Sequence, residues 1–217
     1  FTHYSLDQGL SQSVAEALLQ DSQGFLWIAT QDGLNRFDGY SFKVFKHDPD
    51  APTSLSDNYL YALAEDASGA IWVASSNGLN RYDPLSGRFT RFYHDPDDPD
   101  SLSGSNLSAL LVDRDGTLWV GTNGAGLNRL DLDQLSAQSA DSATPAASTK
   151  VQFTHYPLLQ SDSAAPSDGY ICALAQDSAG ILWVGTKNGL YRLDPGAETF
   201  RSYLPDPQRP NSLPDYH

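Results

Sequence analysis

The stretch ALLQDSQGFLWIAT, residues 17–30, recurs three more times without a gap in the 217-residue chain. Its copies are ALAEDASGAIWVAS at residues 62–75, ALLVDRDGTLWVGT at residues 109–122 and ALAQDSAGILWVGT at residues 173–186. Each copy is followed by Gly-Leu-Asn-Arg, or by Gly-Leu-Tyr-Arg in the last copy; the glycines are Gly33, Gly78, Gly126 and Gly189. Self-similarity at this period is the signature of a repeat architecture, so one structural unit describes all four copies.

Each copy predicts four short antiparallel strands joined by tight turns. An Asp-x-x-Gly turn joins the first two strands, because Asp accepts backbone hydrogen bonds where a turn starts and Gly adopts a positive φ where it ends. The second strand carries a tryptophan, and two further turns lead to the third and fourth strands. The turn glycines are Gly24, Gly69, Gly116 and Gly180, and the tryptophans are Trp27, Trp72, Trp119 and Trp183.

The spacing of the tryptophans predicts the fold class. The first three follow one another at the roughly 40 to 50 residues of a propeller blade. The sequence therefore predicts an all-β protein, a β-propeller with four tandem four-stranded antiparallel blades. We expect the tryptophans to form the core between blades, with no ligand-stacking role, and the repeated alanines to lie on the innermost strands; these alanines are Ala17, Ala62, Ala109 and Ala173.

The two ends of the chain predict further blades. Residues 1–4 repeat residues 153–156, the fourth strand of blade 3, so the chain opens on an outer strand of a missing blade. The chain has no methionine, which indicates a segment of a longer protein. We expect an arc of a ring of about seven blades, associating with the remaining blades or with a second copy as a homodimer. The predicted bounds are 1–6 for the extra outer strand, 13–48 for blade 1, 58–95 for blade 2, 106–158 for blade 3 with a flexible insertion at 134–150, 169–206 for blade 4 and 207–217 for a connector to a next blade.

Composition excludes several classes of partner. The formal net charge of −14 repels phosphate backbones and anionic lipids, so we expect neither nucleic acid nor direct membrane insertion. No apolar stretch approaches the roughly 20 residues of a membrane span. The single cysteine, Cys172, excludes an intramolecular disulfide, and its apolar strand predicts a buried structural thiol. We expect no metal and no cofactor, because no Cys/His cluster has zinc spacing and the acidic run Asp95–Asp100 lacks EF-hand spacing.

The motif Asp-x-x-Gly-x-Leu-Trp followed by Gly-Leu-Asn-Arg resembles the two-component regulator propeller repeat. The connectors that begin His-Asp-Pro-Asp at His47 and His94 share this resemblance, which covers the chain outside the Ser/Ala-rich insertion. The resemblance implies a periplasmic sensor domain of an inner-membrane receptor, whose output is a histidine kinase or a diguanylate cyclase. The chain departs from the pattern at Tyr191, which replaces the usual Asn, and in the turn 123–126, which is one residue longer.

In a propeller, the turns between second and third strands lie on the same face as the connectors between blades. We call this the top face, and polar side chains there are the candidate contacts for an oligosaccharide or another small polar ligand. The alternative interpretation is that they are solvated turns. The candidates are Gln31, Asp32, Ser76, Asn77, Asn123, Lys187 and Asn188.

Three functions remain open at this stage. The first is a sensor or ligand-binding module of a signal-transduction receptor. The second is a structural propeller module that mediates receptor dimerisation without binding a small molecule. The third, and least favoured, is a propeller lyase or quinone-dependent enzyme, because the sequence shows no catalytic constellation and its repetition points to architecture.

Overall fold

The computed structural model describes residues 4–138, 151–156, 169–197, 199–206, 208–209 and 212–213. These residues form four four-stranded antiparallel sheets, each with its strands in chain order. The all-β propeller architecture with four blades is therefore confirmed. Blade 1 consists of β1 (Ala15–Gln20), β2 (Leu26–Thr30), β3 (Gly33–Phe37) and β4 (Phe42–Phe45); blade 2 of β5 (Leu60–Glu65), β6 (Ile71–Ser75), β7 (Gly78–Asp83) and β8 (Arg88–Phe92); blade 3 of β9 (Leu107–Val112), β10 (Thr117–Thr122), β11 (Leu127–Asp131) and β12 (Thr154–Tyr156); and blade 4 of β13 (Ile171–Gln176), β14 (Leu182–Thr186), β15 (Gly189–Leu193) and β16 (Arg201–Tyr203).

Two segments bear on the predicted bounds. The outer strand expected at 1–6 lies partly outside the described residues; residue 4 has no strand partner, and Leu6–Gln8 form a 3-10 turn. A short α-helix, α1 (Asp133–Gln138), occupies the start of the predicted insertion, and the rest of that insertion, 139–150, lies outside the described residues. No described helix is long and apolar enough to span a membrane.

Neighbouring blades share their cores. The tryptophan face of blade 2, with Trp72 fully buried, packs against Leu107, Leu118 and Val120 of blade 3. Blades 1 and 2 meet in the same way, and so do blades 3 and 4. The tryptophan face of each blade is covered by the opposite face of the next blade, so the blades stabilise one another through nearest-neighbour interfaces.

A hydrogen-bond network explains why each turn begins with Asp. One carboxylate oxygen of Asp66 accepts backbone N–H groups from Ser68 and Ala70, and the other accepts the indole N–H of Trp72 at 2.9 Å. The same indole bond joins the other three pairs at 2.7, 2.8 and 3.0 Å. In blade 4 the indole of Trp183 holds the pKa of Asp177 below its ordinary value of 3.8. Asp therefore fixes both the hairpin and the orientation of the buried ring.

The glycine that starts the third strand of blades 1 and 2 is required by a close approach. At Gly78, φ is +102°, and a Cβ atom would lie 2.6 Å from the carbonyl oxygen of Phe92. At Gly33, φ is +109°, and the corresponding distance to Phe45 is also 2.6 Å. Because a side chain at either position would be strained and would clash with the fourth strand, both positions need glycine.

The environment of the cysteine differs from the expectation. Cys172 is exposed on β13, so the predicted buried structural thiol was wrong. An irregularity between Ile171 and Ala173 leaves Cys172 without a partner in the β13–β14 ladder, and Ala173 and Ala175 of the same strand are exposed as well. A residue in such a bulge points differently from its neighbours in the strand.

Candidate functional site

The top face is assembled by backbone hydrogen bonds between blades. The N–H of Gly33, at the end of the β2–β3 turn, donates to the carbonyl of Asn58 in the connector to blade 2, at 2.8 Å. Gly78 donates to Ser105 in the next connector at 2.7 Å. These bonds hold each turn against the connector that leads to the following blade, as expected if both lie on one face.

The connectors satisfy most of their own polar groups. The N–H of Asp48 donates to the hydroxyl of Ser54 at 2.8 Å, and His47 Nδ1 lies 2.6 Å from the carbonyl of Leu55. The connector between blades 2 and 3 repeats both contacts. The guanidinium of Arg91 donates to the carbonyls of Ala51 and Ser54. The described part of the chain holds no group of three or more His, Cys, Asp or Glu residues placed to bind a metal.

The predicted site residues occupy separate positions around the top face. The side-chain contacts of these residues stay within each blade: Gln31 donates to Glu16 at 2.7 Å, Asp32 pairs with Lys46 at 2.6 Å, and Asn123 donates to Asn106 at 3.0 Å. The remaining contacts involve Lys187, whose ammonium lies 3.8 Å from the ring centre of Tyr170, and the backbone N–H groups of Asn77 and Asn188, which donate to Ser75 and Thr186. Ser76 donates its backbone N–H to the carbonyl of Tyr59 at 2.9 Å.

A ring of bulge residues lies next to these turns. The pairing between first and second strands is irregular at the same point in every blade. The residue at this point has no ladder partner and differs from blade to blade, whereas the alanine after it is constant. The four bulge residues are Glu16, Tyr61, Ser108 and Cys172.

Sequence reasoning missed this ring. A bulge re-aims one side chain, and bulges are common beside functional sites. The signal that could have found the ring was available in the repeat itself: a variable position between a constant apolar residue and a constant alanine. We define the inner rim as the bulge residues together with the residues two positions earlier, which are Val14, Tyr59, Asn106 and Tyr170.

The rim of blade 2 is aromatic and lies among anionic groups. The rings of Tyr59 and Tyr61 are 4.9 Å apart, and both side chains are partly buried. Burial raises the pKa of Tyr61 above its ordinary value of 10.0, and the nearby Tyr59, Glu16 and Asp57 raise it further. This part of the rim can therefore stack against an apolar or cationic surface.

A groove of about 560 Å³ lies on the tryptophan face of blade 4. Its apolar lining includes Trp183, Leu190, Tyr203 and Leu213. Leu213 is 37% exposed, whereas the leucines at the same position before blades 2 and 3, Leu55 and Leu102, are fully buried. In blades 1 to 3 the next blade covers this face.

Comparison with known proteins identifies a family that the repeats match. The family described as two component regulator propeller matches residues 9–32, 54–77, 101–124 and 165–188. A protein named Histidine kinase P4 from Formosa agariphila is 45% identical over 56 residues, which are 26% of this chain and 4% of that protein. The chain thus spans a small fraction of the curated relative.

Solved structures share the fold. The extracellular domain described as that of a hybrid two component system from B. thetaiotaomicron aligns with 94% of this chain and 32% of its own length, at 25% identity and a TM-score of 0.60. A streptogramin B lyase aligns with 90% of this chain and 56% of its own length, at 16% identity and the same TM-score. The likeness to the lyase shows the propeller fold alone.

Proposed function

Because all four repeats match the two component regulator propeller family, we propose that the chain is part of the extracytoplasmic sensor of a bacterial signal-transduction receptor and binds a small ligand at its top face. The observation that carries the proposal is the inner rim, where the four copies differ although their architectural positions agree. A residue at a bulge makes no ladder pairing, so it can vary without loss of strand hydrogen bonds. The receptors named among the relatives and solved structures support the location and a histidine kinase output; a diguanylate cyclase remains the alternative output.

The proposal is tested in the receptor that contains this chain. The variant Tyr59→Ala removes a side chain of the inner rim, and Lys187→Ala removes one from the adjoining β14–β15 turn of the top face. Ser22→Ala removes a side chain from an exposed turn between first and second strands on the opposite face. We expect the two top-face variants to shift the concentration of inducer needed for output, at unchanged receptor abundance, while Ser22→Ala leaves it unchanged. An inducer response that is identical in all variants would contradict ligand sensing at the rim.

A second candidate, a module that mediates association, is favoured by the groove on blade 4. We propose that its occupant is another blade of the same repeat, from the rest of the ring or from a second copy, because such a blade covers the equivalent face in blades 1 to 3. Leu190→Glu should weaken self-association in sedimentation. Leu85→Glu, at a turn residue that is 97% exposed, is the control. A sedimentation coefficient that is the same for both variants and for the unmodified chain would exclude association of copies through this face.

A further inference from the structure

The four repeats provide an internal comparison at the inner rim. Tyr59 of blade 2 and Tyr170 of blade 4 occupy the same position, immediately before the first strand. The residue that follows the second strand is Ser76 in blade 2 and Lys187 in blade 4. The two blades therefore present the same ring with different neighbours.

In blade 4 the chain supplies its own cation to the ring. The ammonium of Lys187 lies 3.8 Å from the ring centre of Tyr170, which is close enough for a cation–π interaction. In blade 2 the equivalent residue, Ser76, is uncharged, so it supplies no cation to the ring of Tyr59. Within the described residues, no Lys or Arg lies over Tyr59 or Tyr61, and the two rings contact each other.

The charges around the rings of Tyr59 and Tyr61 favour the binding of a cation. Glu16 and Asp57 are close enough to Tyr61 to contribute to the rise in its pKa, after the larger effect of burial. The Glu16 carboxylate accepts from the neutral amide of Gln31 at 2.7 Å, a contact that leaves its charge uncompensated. An ammonium group placed here would gain from the carboxylate and from the faces of the rings.

We propose that the inner rim where blades 1 and 2 meet, formed by Glu16 of blade 1 with Tyr59 and Tyr61 of blade 2, binds a protonated primary amino group of a ligand. The amine donates N–H groups to the carboxylate of Glu16 and lies over the tyrosine pair, as Lys187 lies over Tyr170. This inference rests on the proposed sensor function, since it names the chemical class that one part of the same rim recognises.

The test compares two probes that differ in one group. Binding of a glucosamine trisaccharide, which carries protonated amines, and of its N-acetylated counterpart is measured with the 217-residue chain by calorimetry below pH 7. We expect the amine form to bind about threefold to thirtyfold more tightly, the range that a cation over an aromatic ring provides.

Variants at Ser76 decide whether the site is the one assigned. Ser76→Lys tethers an ammonium over Tyr59 and should abolish the preference, and Tyr59→Ala should abolish it too. Ser76→Gln, of comparable bulk without charge, should keep it. Equal affinities for the two probes, or a preference that survives Ser76→Lys, would overturn the inference while leaving the sensor function standing. Failure of both probes to bind would overturn the inference as well, and the receptor-response experiment would still decide the sensor function.

Discussion

The Asp–Trp pairs allow one stability prediction to be worked out against a control inside the same molecule. In Asp66→Ala, the buried indole N–H of Trp72 and the buried backbone N–H of Ala70 lose their acceptor. A buried donor left without a partner costs about 1–3 kcal/mol, and hydrogen bonds to a charged group are the stronger ones. Arg81, 3.6 Å from the same carboxylate, also loses its counterion. We expect the free energy of unfolding to fall by about 3–5 kcal/mol.

The control is Asp177→Ala at the same position of blade 4. There Asp177 accepts the same backbone and indole bonds, the latter at 3.0 Å. The arginine at the position of Arg81, Arg192, pairs with Asp194 instead, and Trp183 is partly exposed because no further blade covers it among the described residues. Water can replace the lost acceptor, so we expect a clearly smaller cost than that of Asp66→Ala. Urea titrations followed by tryptophan fluorescence measure both values. If the two variants cost the same within about 0.5 kcal/mol, burial does not set the strength of this bond and the argument fails.

Three further predictions concern the framework. Gly78→Ala should destabilise the chain by about 3 kcal/mol in a urea titration, against about 1 kcal/mol for Gly24→Ala. The reason is that a Cβ at Gly78 meets the carbonyl of Phe92, whereas the space at Gly24 is open. Equal costs would contradict this prediction. Asn80→Ala should cost about 2–4 kcal/mol by the same assay, since the buried amide accepts from the N–H of Ser56 at 2.7 Å and donates to its hydroxyl at 2.9 Å; a cost below about 1 kcal/mol would show that the connector does not depend on it. Burial raises the pKa of Tyr82. The contribution of its neutral hydroxyl to stability is therefore present below pH 10.0 and is lost as the pH rises through the folded-state pKa. Tyr82→Phe should reduce the loss of stability measured above pH 10.0, and an unchanged pH profile would refute this prediction.

The blades could be predicted from the sequence because their determinants are local. Each Asp-x-x-Gly turn and each tryptophan lies within one short hairpin, and four copies give the same answer. The bond from Trp72 to Asp66 could not be predicted, because it depends on how a side chain folds back over the turn. The same holds for Leu55, whose burial depends on the face of the preceding blade.

The inner rim was harder to predict than the blades. The apolar context of Cys172 indicated burial, whereas the residue is exposed at a bulge. A single copy of the repeat does not reveal the bulge; only the comparison of four copies shows the variable position before the constant alanine. Sequence reasoning selected the turn residues Gln31 and Lys187, whose partners Glu16 and Tyr170 lie on or before the first strand. The sequence therefore predicted the turn residues of the candidate site, whereas the residues that they contact depend on strand register and were not predicted.

This division between constant and variable positions explains how such a fold can change its ligand. A bulge residue makes no ladder pairing, so Glu16, Tyr61 and Cys172 can differ without loss of strand hydrogen bonds. The fourth, Ser108, also lacks a ladder partner, but its hydroxyl donates to the carbonyl of Ile171 in blade 4 at 2.6 Å. The Asp–Trp pair, by contrast, supports the interface between blades and cannot vary. Substitutions at the rim should therefore change binding at constant stability, and substitutions at Asp66 should change stability while the rim of the folded chain keeps its affinity. A rim variant that unfolds the chain as readily as Asp66→Ala would show that the bulge is part of the framework.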